Sequence, residues 1–578
     1  MSSISLQELE IIRKCIGKVT KGRRRLIAAC VYGSRVAGYG RPDSDIDLLV
    51  VLEDYPYVVK YMYFRESSTK VSVLAVDRGA LLRDAQSAFL GEFVVGRLLH
   101  IYKPIANAEF LAMIEQTYKR RVILEEVRDI LESTGVLGTE IIFPLEFVAF
   151  SKIRRRMSLY ASAAYSYYKT YTTSKRNIEF ALEGYHRAIA DIVAQYSEIF
   201  AARQDGLLQI SDKNIFLEKQ RRQTRLKLTK RFKELNSYLV HTYAGRKIIH
   251  FAVNEAESKI RRRLRLMMKP PDFMLYPRKV YWRLPEGRLI VDGRNWLDDL
   301  ARHLGNYSIS KTRRLGNSNN NNSSRRTTTM YVIKHGSGEY KIAVKELARS
   351  KALKWAMVGL WNEPVRRYRM GPLLRLGSEY KAIRHIRSLG LHSPMIEGVV
   401  LDRRLLVTRF VEGISLADVI RRDCMVGNSS GGGGGGRRRR RRRHGDTSLI
   451  SKAGAEIATI HAAGATFGNI EPKNIIVNGE EEDDDDDLYF TNVEQFIFNG
   501  GDPTWDIAQF IAWCLKSTRN SKMASTITKE FVEGYMSIGD PSNISRLANS
   551  KRYIESFYPV HVPSVVHTIK REINAIAG

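Results

Sequence analysis

The chain is 578 residues long, 44% apolar and 27% charged, values that suit a soluble globular protein of two to four domains rather than one large core. It carries 93 Lys and Arg against 62 Asp and Glu, a net charge of +31. Seven Arg at 437–443 and eight acidic residues at 480–487 offset each other, so the basicity belongs to the body of the chain and suits a polyanionic partner such as RNA. Four widely spaced cysteines exclude a disulfide framework and a paired zinc site. With no signal-peptide-like leader and no long apolar run, the chain is expected to be cytoplasmic and to have no membrane partner.

In chain order, residues 5–30 read as a helix that passes into the strand LIAACVY. A second strand spans Asp45–Leu52 after the Gly/Pro-rich GYGRPDS, and a third spans Lys70–Val76. From about 81 the sequence becomes long amphipathic helical segments, stopped by Pro270 and Pro271, with short strands and one helix near WLDDLARHLG up to about 310. Residues 311–328, rich in Asn, Ser and Arg, read as a linker. From 329 the pattern MYVIK, YKIAVKEL gives a strand pair, 375–389 a helix, and LLVTRFV another strand. The rest is helical apart from short strands at 475–477 and 488–491. Four segments are therefore expected, at 1–80, 81–310, 311–328 and 329–578.

The first chemical motif is GSRVAGYGRPDSDIDLLV. Gly33 and Ser34 follow a strand, where backbone N–H groups at a turn can face an anion. Asp45 and Asp47 share one face of the next strand and repel each other unless a cation, such as a metal bound to a nucleoside triphosphate, lies between them. This run resembles the polymerase-beta-type nucleotidyltransferases, whose minimal members carry Gly-Ser before Asp-x-Asp. The resemblance implies that Gly33 and Ser34 position the triphosphate and that Asp45 and Asp47 hold Mg2+ with an NTP, ATP first among them. It also implies a third carboxylate on a neighbouring strand, placed in KVSVLAVD at Asp77 or at the position held by Ser72. Arg35, Arg41 and Lys70 are further counterions for phosphate. The acceptor implied is RNA, protein or a small molecule.

The second motif begins with Lys345, mid-strand in YKIAVKEL, for which Glu379 on the following helix is the natural partner. HAAGATFGNIEPKN and TNVEQF follow, then GDPTWDIAQF. The succession resembles the eukaryotic-type protein kinases, and more closely their atypical archaeal branch. It implies that Lys345 bridges nucleotide phosphates, Glu379 holds Lys345, and Asn474 is a metal-side ligand. Asn469 and Asn492 stand where that family has two aspartates, and Asp506 is a structural carboxylate. Asp to Asn keeps shape and loses charge, so the region is expected to be a pseudokinase unless Glu471 or Glu494 substitutes.

The expected architecture is thus multidomain α/β and α: an N-terminal nucleotidyltransferase α/β fold, a helical middle region, and a C-terminal bilobal kinase-like α+β domain. A non-catalytic nucleotide- or RNA-binding scaffold, or an active atypical kinase, are the competing readings.

Overall fold

The computed structural model describes residues 4–211 and 281–577, apart from 23, 67, 160–163, 197–198, 202, 204, 306–307, 316–327, 336–337, 348–368, 370, 427–447, 479–485, 517–520, 551–552 and 554–562. The basic segments 221–235 and 258–269, the Arg tract and most of the acidic tract lie outside the described residues. The chain forms two compact units. Unit 1 comprises Met1–Ser133 and Ile141–Arg283, and unit 2 comprises Thr134–Glu140 and Leu284–Gly578.

Unit 1 opens with α1 (Leu6–Thr20), started by a reciprocal cap in which the Ser5 side chain accepts from the Glu8 N–H and the Glu8 carboxylate accepts from the Ser5 N–H. Strands β1 (Leu26–Tyr32), β2 (Ile46–Leu52), β3 (Val59–Glu66), β4 (Thr69–Asp77) and β5 (Lys103–Ala106) form a sheet in the order β3-β4-β2-β1-β5. β2 and β4 run parallel; the other pairs are antiparallel. Alternation sends Ile46, Leu48, Val50 and Leu52 of β2, with Val71, Val73 and Ala75 of β4, onto one face. There they join Ile12, Cys15 and Val19 of α1 in one core. The β3 strand, VKYMYFRE, is not among the expected elements: its aromatic and apolar run Tyr61–Phe64 is short and flanked by charged residues, Lys60 before it and Arg65 and Glu66 after it.

The short α2 (Ser34–Ala37) follows β1, and α3 (Arg78–Ser87) follows β4. Next come α4 (Ala108–Thr134), the two-residue strand β6 (Ile142–Phe143), α5 (Leu145–Leu159), α6 (Ala164–Thr173) and α7 (Lys175–Gln195). The partner of β6, β7 (Leu208–Gln209), closes the described part. These helices belong with the sheet: the Asn177 side chain donates to the carbonyl of Ala37 at 2.9 Å, and the Tyr39 hydroxyl donates to that of Ser166 at 3.2 Å. The boundary expected at residue 80 therefore falls inside one unit. Glu92 is buried among Arg121 (2.8 Å), Lys152 (2.8 Å) and Arg156 (3.3 Å).

Unit 2 contains β8 (Arg288–Ile290), α8 (Trp296–His303), β9 (Ser308–Leu315), β10 (Thr328–His335), β11 (Gly338–Glu346), α9 (Pro372–Ser388), β12 (Ile396–Val400) and β13 (Leu405–Arg409). Its six strands are ordered β8-β12-β13-β11-β10-β9. Residues 308–315 pair with 328–335, so the ends of the expected linker are strand and only its Asn-rich middle lies outside the described residues. Ile342, Val344, Val400 and Val407 pack with Trp296 and Leu300 of α8, which makes residues 284–310 part of this unit. The 3-10 turn Gly135–Thr139 lies against α9, where a β-carbon on Gly377 would come within 2.3 Å of the Leu137 nitrogen.

The remainder of unit 2 comprises β14 (Ile414–Ser415), α10 (Leu416–Val426), α11 (Leu449–Ala462), β15 (Ile475–Asn478), β16 (Asp487–Phe490), α12 (Pro503–Leu515), α13 (Ser521–Met536), α14 (Pro541–Asn549) and α15 (Pro563–Ala577). Strands β14, β15 and β16 form a small separate sheet.

Candidate functional site

In unit 1, β1 delivers Gly33 to a φ of +82° and ψ of −157°, a conformation open to glycine. The backbone there is backed onto Asp47: a β-carbon at Gly33 would stand 2.3 Å from Asp47 Oδ2. Ser34 begins α2, and Asp45 stands immediately before β2, two residues ahead of Asp47. The intervening loop is held by Arg35, whose Nε donates to the Ser44 carbonyl at 3.0 Å, one Nη to the Pro42 carbonyl at 3.1 Å, and the other Nη to Glu8 at 2.8 Å. Arg35 thus braces the loop that carries the carboxylates, and its donors are directed at the protein rather than at phosphate. Arg41 is exposed, and its backbone N–H donates to Ser44 Oγ at 2.8 Å.

The strand register places the third-carboxylate position. Asp47 is level with Ser72 across the parallel β2–β4 pair, while Asp77 is level with Leu52, at the other end of the strand. Asp77 is also committed elsewhere: its carboxylate accepts from Ala80 N–H at 3.0 Å, capping α3, and from Tyr55 N–H at 3.0 Å. The structure therefore does not bring Asp77 to Asp45 and Asp47, and Ser72, 7% exposed, stands there instead.

Read across the sheet, Tyr63, Ser72, Asp47 and Tyr32 form one row on one face. Behind Tyr32 lies Arg97, its guanidinium 5.5 Å from the Tyr32 ring centre and donating to the Tyr61 hydroxyl at 3.2 Å. Burial, with Tyr61 nearby, raises the Tyr32 phenol well above its ordinary range, so it stays neutral. Neither Tyr63 nor Arg97 stood out in the sequence; the alternation of β3 was the available signal for Tyr63.

The donor set suits a divalent cation shared with a nucleotide. Two carboxylates one residue apart, with a glycine keeping the space beside one of them clear, match the way Mg2+ takes one or two protein carboxylates and completes its shell from phosphates and water. Among the described residues no cluster of three or more His, Cys, Asp or Glu offers a cage made of protein alone.

In unit 2, the structure brings Lys345, Glu379 and Asn492 together. Lys345 Nζ donates to both Glu379 carboxylate oxygens at 2.7 and 2.8 Å, and to Asn492 Oδ1 at 2.5 Å. Asn492 has a φ of +59°, a left-handed backbone that Asn tolerates better than most residues. Glu494 is buried 3.6 Å from Lys345 and 3.2 Å from Arg375. Asn469 receives a 3.4 Å hydrogen bond from Gln509 and gives one of the same length to Glu471, which also pairs with Lys473. Both glutamates are therefore tied to cations.

Asp506, fully buried, accepts from the N–H groups of Phe467 and Gly468 at 2.6 and 2.7 Å and so fixes the loop before Asn469. The Asn474 carbonyl accepts from Thr491 Oγ at 2.7 Å, while its side-chain nitrogen is buried without a hydrogen-bond partner among the described residues.

Comparison with known proteins bears on unit 1. Residues 14–91 match the family model described as Polymerase beta, Nucleotidyltransferase. The chain is also 32% identical over 77 residues to Protein adenylyltransferase MntA of Thermococcus cleftensis, a match covering 13% of this chain and 78% of that protein. Among solved structures, the chain is similar to WaaP in complex with acyl carrier protein (10% identity, 49% of this chain and 94% of that one, TM-score 0.26). It is also similar to a double-mutant Mycobacterium tuberculosis PknI kinase domain (11% identity, 47% and 97%, TM-score 0.22). Both scores are too low to carry an argument. Among the described residues no helix is long and apolar enough to cross a membrane.

Proposed function

The chain belongs to the polymerase beta nucleotidyltransferase family through its N-terminal residues, and on that premise we propose that unit 1 transfers a nucleotidyl group from an NTP, ATP first, to an acceptor. The observation that carries this reading is the closeness of Gly33 to the Asp47 carboxylate, with Asp45 two residues ahead of it at the entry to β2. Asp45 and Asp47 are the residues that would hold a divalent cation. When bound, such an ion neutralises phosphate charge and orients the triphosphate for in-line displacement. Gly33 leaves the space beside Asp47 open, Ser34 borders it, and Arg35 holds the loop so that both carboxylates keep their spacing.

A second reading concerns unit 2, and the contact between Lys345 and Asn492 favours it. A kinase-like site with an amide at that position keeps the Lys345–Glu379 pair and lacks the anionic metal ligand, so unit 2 binds nucleotide or regulates rather than transferring phosphate. Glu471 and Glu494 do not restore the missing charge, because each already neutralises a cation.

One experiment tests both readings. The full chain is incubated with α-labelled and, separately, γ-labelled ATP, with whole-cell RNA and protein as acceptors. We expect α-label to be incorporated, Asp45→Ala and Asp47→Ala each to abolish it, and γ-label to stay at background. Incorporation of α-label that survives both substitutions rejects the first reading. γ-Label transfer lost on Lys345→Ala rejects the second.

A further inference from the structure

The row that contains Asp47 also bears on what the acceptor is; the inference rests on the nucleotidyl-transfer reading of unit 1. A hydroxyl acceptor must lose its proton as it attacks phosphorus, and a carboxylate placed beside the reacting centre is the usual recipient. The position level with Asp47 holds the Ser72 hydroxyl, and the row continues to the phenol of Tyr63 beyond Ser72 and to that of Tyr32 beyond Asp47. None of the three takes a proton from an alcohol at neutral pH. Asp77, the remaining acid of β4, caps α3.

The same face continues outward with positive charge. Lys70 lies two residues before Ser72 on β4, and Arg65 is level with Lys70 on the edge strand β3. Alternation puts both on the face of Ser72 and Asp47. Both are exposed, and neither has an ion pair among the described residues. Tyr63, two residues before Arg65 on β3 and level with Ser72, is 61% exposed, and its ring stacks on that of Tyr61 at 6.1 Å. Beyond the two carboxylates that would hold the cation, this face offers no proton acceptor in the row and carries two open cations, which suits a nucleophile that arrives already ionised and anionic.

We propose that the acceptor of unit 1 is a phosphate monoester, held by Lys70 and Arg65. Its terminal oxygen attacks the α-phosphorus of the NTP, the bond from that phosphorus to the bridging oxygen breaks, and pyrophosphate leaves with the electron pair. The product is a phosphoanhydride joining the nucleotide to the acceptor. No proton has to be removed, because a phosphate monoester with a second pKa of about 6 is mostly dianionic at neutral pH.

The test uses the full chain with α-labelled ATP, Mg2+ and four acceptors: a 5′-phosphorylated RNA oligonucleotide, the same oligonucleotide with a 5′-hydroxyl, glycerol 3-phosphate, and glycerol. We expect label in one or both phosphorylated acceptors, in a linkage that a pyrophosphohydrolase cleaves, with the rate rising as pH passes through about 6. Which of the two is labelled identifies the source of the phosphate. Lys70→Ala and Arg65→Ala, at exposed positions that fold normally, should each raise the KM for the phosphorylated acceptor roughly five- to tenfold. Ser72→Asp should add transfer to the hydroxyl acceptors.

Equal labelling of the hydroxyl acceptors by the unmodified chain, or a linkage resistant to the pyrophosphohydrolase, overturns the proposal and leaves nucleotidyl transfer standing. Absence of label from both phosphorylated acceptors also overturns it. If the chain then labels no RNA or protein either, the nucleotidyl-transfer reading fails with it.

Discussion

Gly33 and Glu92 show how single positions in unit 1 depend on what surrounds them. A methyl group at residue 33 would meet Asp47 Oδ2 at 2.3 Å, and the glycine's φ of +82° is strained for any side chain. Gly33→Ala should therefore cost about 1–3 kcal/mol of stability and lower transfer about a hundredfold or more by displacing a carboxylate; thermal melts and single-turnover rates would show the two effects separately. Glu92 is a stability residue. Burial alone would raise its carboxyl, but Lys152, then Arg121 and Arg156, outweigh burial and bring it from 4.5 down to about 2. Glu92→Gln leaves three cations facing a neutral amide and should cost about 3–5 kcal/mol near neutral pH. Because the folded-state value is depressed, the contribution of Glu92 is complete above about 4.5 and is lost as pH falls toward 2. Denaturant titrations of the two proteins should accordingly converge across that window. At this scale Asp45, Asp47, Lys345 and Glu379 were legible because residue type and spacing alone suggest their chemistry. Asp77 misled because its helix-capping role depends on where β4 ends, and Ser72 was decided by a strand register that no local pattern encodes.

Among the elements, those with clean apolar alternation or a strong cap were readable: α1, β1, β2, β4, and the β10–β11 pair. The edge strand β3 was not, since charged residues flank its short apolar run, and most of β9 reads as linker because its Lys, Thr and Arg residues look like loop until a partner strand is known. The approach of the 135–139 turn to α9 was equally hidden, because it joins residues far apart in sequence. Gly377 is the permissive position there, and Arg384 pairs with Glu140 in the same region. Gly377→Val should push the turn off the helix and destabilise unit 2 by about 1–3 kcal/mol. In a thermal scan its transition should move down while that of unit 1 stays put; a shift of the unit 1 transition alone would contradict the assignment of residues 134–140 to unit 2.

The whole chain carries two constellations that differ in what they kept. Unit 1 has the paired carboxylates with serine at the third position, and unit 2 has the Lys–Glu pair with amides at two positions. Sequence gave the presence and order of both, because each is compressed into a few tens of residues. It could not give the division of the chain, because seven residues of unit 2 lie within the span of unit 1. That interleaving matters while the protein is being made. Thr134–Glu140 leaves the ribosome more than two hundred residues before Gly377, an interval on the order of ten to fifty seconds at ordinary elongation rates. Throughout that interval the nascent chain must hold the segment unpartnered without drawing it into the helices folding around it, so the pace of translation between the two stretches becomes a determinant of yield.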